Sequence, residues 1–150
     1  MAQQLNQFTQ TAERGQVAYK NGNSNVMSAM VDSGVSGTLR AGDAVRLVGT
    51  SKGLPKVAPL EANDTAAAVM FIVNNYVRSE GIKAGDRIEV MYTGGFMRMR
   101  AGGAIAAGAR LAYDTGTGNI SQYEGTGRVI GVSIEAASAE GDIISVYVQS

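Results

Sequence analysis

The chain has no cysteine, no histidine and no tryptophan, and only two prolines among its 150 residues. Without thiolates or imidazoles there is no Cys nucleophile, no His-based triad and no Cys/His zinc site. No disulfide can form, so stability has to come from packing, hydrogen bonds or association. Excess charge of one sign is also missing, because thirteen acidic residues balance thirteen basic ones. A neutral chain without a basic cluster lacks the means to hold nucleic acid by its phosphates. Long apolar runs are absent too. The longest, Thr65–Val73, is too short to cross a bilayer. The first ten residues are polar and lack the basic-then-apolar order of a signal peptide. The expectation is a soluble protein made in a cytoplasm, with no membrane, nucleic-acid or cofactor partner and no metal.

What the chain does have is glycine, twenty residues of it, and a phrase used three times. Leu39–Val48, Ile82–Met91 and Ile105–Tyr113 each read as an apolar anchor, a spacer, then Ala-Gly-Asp (once Ala-Gly-Ala) and an alternating strand. Glycine reaches the positive φ of a tight turn, and an Asp side chain can bond nearby backbone N–H groups. The alternation of Val45 with Leu47, or Ile88 with Val90, has the period of a half-buried strand. Asp43 and Asp86 resemble paired catalytic acids, but Ala109 stands in the third copy. A turn-forming role that can lapse suits that pattern better than chemistry that cannot.

Strand signals recur from Gly37 onward, over 44–48, 54–58, 67–74, 87–92, 96–100, 109–113, 128–135 and 143–149. The run Ala67–Val73 is apolar on both faces and is expected to be central. Ala104–Ala109 and Glu135–Glu140 are Ala-rich, and either could form a helical turn. A hydrophobic content of 45% suits a packed domain rather than disorder. The fold class expected is all-β, a small β-barrel or β-sandwich over 37–150. Residues 1–36 form an extended, Gln/Asn-rich arm, with a short hairpin turning at Lys20–Asn23 between Val17–Tyr19 and Val26–Met30.

Few residues carry chemistry. Thr115–Asn119 and Glu124–Gly127 are Gly-rich, but they lack the P-loop lysine and a following helix, so they read as hairpin turns. Asp114, Glu124, Glu135, Glu140 and Asp142 gather late in the chain and form no Asp-x-Asp-x-Asp calcium loop. Phe96-Met-Arg-Met-Arg100 is less ordinary. As a strand it turns Met97 and Met99 to one side, and Phe96, Arg98 and Arg100 to the other. Aromatic and Arg side chains are enriched in interface cores, and Arg pairs bidentately with carboxylates. That strand is therefore read as partner-binding, pairing with the acidic residues of a neighbouring subunit or another partner.

The order of these motifs resembles the tailed-phage capsid decoration proteins, also called structural cement or head-stabilising proteins. The resemblance runs from Val35 onward and is carried by Ala104–Asp114, a Gly-rich turn, Gly127–Ala137 and the closing Gly141–Val148. It implies a virion protein on the outer capsid surface that bridges major capsid protein subunits without catalysis. It also implies a homo-oligomer, with a trimer favoured and a dimer the alternative. Residues of the arm would then contact the partner: Gln3, Gln4, Asn6, Phe8, Arg14 and Tyr19, beside Phe96, Arg98 and Arg100. Two other readings stay open. One is a carrier or ligand-binding β module, although Lys20 and Lys52 lack the flanks of an attachment lysine. The other is a carboxylate-based enzyme acting on glycans.

Overall fold

The computed structural model describes residues 13–17, 25–64, 68–74 and 81–149. Ten strands and no helix are found among them. The first five are β1 (Val26–Val31), β2 (Ala44–Ser51), β3 (Leu54–Pro59), β4 (Val69–Ile72) and β5 (Arg87–Met91). They close on themselves as a barrel in the order β1–β3–β2–β4–β5. The other five are β6 (Phe96–Arg100), β7 (Arg110–Tyr113), β8 (Ile120–Gln122), β9 (Val129–Ser133) and β10 (Ile143–Val148). They form an antiparallel sheet in the order β6–β10–β9–β7–β8. The all-β expectation holds, and the molecule combines a barrel with a sheet packed on it.

The apolar pattern explains this arrangement. Every residue of β4 is buried. Met70 and Ile72 point into the barrel with Ala29, Val31, Val45, Val57, Ile88 and Val90. Val69 and Phe71 point out, into a second core with Met97, Met99, Leu111, Ile130, Ile144 and Val146 of the sheet. Strand side chains alternate between faces, so only a strand wedged between two cores needs to be apolar throughout. Tyr113 ties the same seam. Its ring meets Phe71 edge-on at 5.7 Å, and its hydroxyl accepts the Ala44 N–H at 3.1 Å.

Two expectations change, and one strand is added. Val26–Met30, read as one side of a hairpin in the arm, instead belongs to barrel strand β1, paired with β5 from Val26–Met91 to Met30–Arg87. The hairpin turn at Lys20–Asn23 lies outside the described residues. Ala104–Ala109 and Glu135–Glu140 are not helical: Ile105 bridges Ala137, and both segments run on into turns. β8, for which there was no expectation, is a three-residue edge strand. Its end is tied back by a parallel bridge from Ile120 to Ala101.

The repeated phrase forms one kind of turn. Asp43 Oδ2 accepts the Arg40 N–H at 2.8 Å, and Asp86 Oδ2 accepts the Lys83 N–H at 2.9 Å. Gly42 and Gly85 sit at φ 88° and 84°. In the third copy Gln122 Oε1 takes the Ala106 N–H and Ser133 Oγ takes the Ala109 N–H. The same side-chain clasp closes Glu61–Asp64, Ala139–Asp142 and, through a Gln, Glu13–Gln16. Asp43 and Asp86 are therefore turn formers, as the lapse at Ala109 implied.

These clasps predict an acid limit to stability. Hydrogen bonds from the backbone and hydroxyl of Ser138 and from the Ala139 N–H hold Asp142 below its ordinary 3.8. The Gly34 N–H and Lys56 do the same for Asp32. Ser145, whose N–H donates to its carboxylate at 2.9 Å, and then Arg98 lower Glu135 from 4.5. A carboxylate whose folded pKa is depressed adds stability that is fully present above its unfolded value. That stability is lost as pH falls through the folded value. Melting temperature is expected to stay level from pH 7 down to the ordinary carboxylate values and to drop below them. Asp142→Asn should make that drop shallower.

Candidate partner-binding surface

β6 behaves as its alternation suggests. Met97 and Met99 are fully buried, while Phe96 and Arg98 are half-buried and Arg100 is exposed. Register then decides their neighbours. Phe96 lies opposite Tyr147, Arg98 opposite Ser145 and Arg100 opposite Ile143 on β10. Tyr147 lies opposite Val132, and Val132 opposite Arg110. An outward row of Phe96, Tyr147, Val132 and Arg110 therefore crosses the sheet, ending where Arg110 stands over the Tyr123 ring at 5.1 Å. The Phe96 and Tyr147 rings meet at 5.0 Å. Ile134, just past β9, is 42% exposed. Tyr147, Val132 and Ile134 were missed in the sequence, although the inward Ile144-Val146-Val148 triplet already implied that Tyr147 faces out.

Arg98 does not wait for a partner's carboxylate. Glu135 of the same chain stands 3.6 Å away. Arg14, expected as an arm contact, is also engaged within the chain. Its guanidinium pairs with Asp43 at 2.8 Å and donates to the carbonyls of Ala41 at 2.8 Å, Gly42 at 3.0 Å and Gly118 at 2.9 Å. One side chain thus joins a barrel turn to the β7–β8 turn. The backbone on either side is fixed as well: Gly15 N–H donates to Arg98 O at 2.7 Å, and Arg98 N–H donates to Gln16 O at 2.8 Å. Residues 15–17 cover the outer edge of β6, where Val17 bridges Met97. Gln3, Gln4, Asn6, Phe8 and Tyr19 lie outside the described residues.

Among the described residues no three of His, Cys, Asp or Glu are grouped as metal ligands would be. Three of the late acidic residues serve separate local bonds: Asp114 accepts the Gly116 N–H, Asp142 closes its turn and Glu135 meets Arg98.

A family model described as phage cement protein matches residues 56–149, from within β3 to the end of β10. The molecule is a structural protein of the phage capsid. Within that class the chain belongs to the phage cement protein family. Among solved structures, the N base of the head fiber gp8.5 in bacteriophage phi29 is similar. It is 17% identical with a TM-score of 0.55, over 83% of this chain and 92% of that one, a likeness of fold. No match was found among curated proteins.

Proposed function

We propose that the protein attaches to the outer surface of an expanded phage capsid and bridges neighbouring major capsid protein subunits, stabilising the shell without catalysis. The observation that carries this reading, beside the family, is the outward face of the β6–β10–β9–β7 sheet. It offers aromatic and aliphatic groups with guanidinium groups at its margin, the composition of an interface core and its rim. The Gln/Asn-rich residues before Glu13 would add contact area on the shell. Several weak contacts made together on one shell amount to tight attachment.

The test is co-sedimentation with expanded capsids that lack the protein. The wild-type chain is expected in the pellet, and a chain that stays in the supernatant would overturn the reading. Ile134→Glu places a charge on the exposed face without disturbing either core. It should leave melting unchanged while weakening attachment by about tenfold or more, as expected for a charge buried unpaired in an interface. Removal of residues 1–12, which spares the Arg14 contacts, should weaken attachment with the same melting temperature.

A further inference from the structure

The seam between barrel and sheet opens into a cleft of about 410 Å³ lined by Arg14, Arg40, Arg100, Glu13, Thr117 and Asn119. Its charges do not cancel. Arg14 is neutralised by Asp43, and Glu13 receives a bond from Asn74 at 2.9 Å. Arg40 and Arg100 have no ion pair among the described residues, so with Glu13 the cleft is left one positive charge in excess. Asn119 lies beside them, only 8% exposed, and its side-chain oxygen is buried without a hydrogen-bond partner. A buried acceptor left unpaired is unfavourable until a donor reaches it. The occupant that fits must therefore bring two things: one carboxylate for the guanidinium groups and an N–H for the amide oxygen. A phosphate carries more charge than the cleft offers and brings no N–H.

The chain carries such a group. The β8–β9 turn, Glu124-Gly-Thr-Gly127, is exposed at all four positions. Glu124 has no ion pair and residues 124–127 make no backbone hydrogen bond among those described. The turn presents one carboxylate and several N–H groups. It cannot fill the cleft of its own chain, because β8 runs between Asn119 and Glu124 and holds them roughly 15 Å apart, at about 3.3 Å per extended residue. We propose that the Glu124 turn of one copy inserts into the Arg40–Arg100–Asn119 cleft of a second copy, so that the protein self-associates through this contact. The contact goes beyond the capsid reading and stands without it.

The experiment is sedimentation velocity or native mass spectrometry of the full chain at low salt, with two variants. Wild-type protein is expected to associate, and to do so more weakly as salt is added. Arg40→Glu with Arg100→Glu disables the cleft, and Glu124→Arg disables the turn. Each alone should weaken association by about tenfold or more, as charge reversal at a close pair does. Mixed one to one, the two variants should form a heterodimer, since one keeps its turn and the other its cleft. Impaired folding would not produce that rescue. Wild-type protein that stays monomeric, variants that associate like wild type, or a mixture with no heterodimer would each overturn the proposal. Binding of a short oligonucleotide to the cleft in place of the turn would do so too.

Discussion

Gly131→Ala is expected to leave the chain unable to reach its native fold, appearing as insoluble protein or as a loss of about 3 kcal/mol or more. Gly131 lies in β9 between β7 and β10, opposite Leu111 on one side and Val148 on the other. A Cβ there would overlap the carbonyl oxygen of Tyr147. That neighbour is backbone in a central ladder and cannot rotate away as a flexible side chain would. The pairing also slips at this point, between Leu111 and Ala112, so the strand has no slack left to absorb a shift. Gly103→Ala is the matched control. An added Cβ there meets nothing within 4 Å, and its stability in urea should stay within about 0.5 kcal/mol of wild type.

Arg14→Ala is expected to cost about 2 kcal/mol, the worth of a charge-assisted hydrogen-bond set in a partly buried place. For a chain of this size that corresponds to a melting temperature lower by roughly 4–8 °C. The substitution leaves Asp43 without its cation and the carbonyls of Ala41, Gly42 and Gly118 without their donor. Arg14→Lys keeps the charge, but a single ammonium cannot span three carbonyls and a carboxylate as the planar fork does. It should recover less than half of the loss in calorimetry. Full recovery by Lys would mean that charge alone, and not the fork, matters at this position.

Local patterns in the chain were legible, and lateral ones were not. Period-two alternation located nine of the strands to within a few residues, including the inward Met97 and Met99. β1 was seen but assigned to the arm, because Gln and Asn around it masked a strand whose partner, β5, is remote in sequence. The turn phrase was visible at three places but is used more widely. The clasp needs only an acceptor at its fourth position. Gln16 and Asp64 provide it without the Ala-Gly-Asp signature. Where Ala109 lacks the acceptor, Gln122 and Ser133 supply it from other strands. Arg14 was legible only as an arm residue facing a partner, and Asn119 only as the end of a hairpin turn. A lone Arg in a polar stretch reads as a contact for a partner until folding brings two turns of its own chain to it.

The fastening of residues 13–17 has a mechanical consequence. A pull arriving from the N-terminal side reaches Glu13 first and is then divided. Part passes through Gly15 and Gln16 into β6, and part through the Arg14 guanidinium into both the barrel turn and the β7–β8 turn. The tension is therefore shared between barrel and sheet instead of falling on one of them alone. A strap anchored on a single half would load that half alone, whereas this one draws on both.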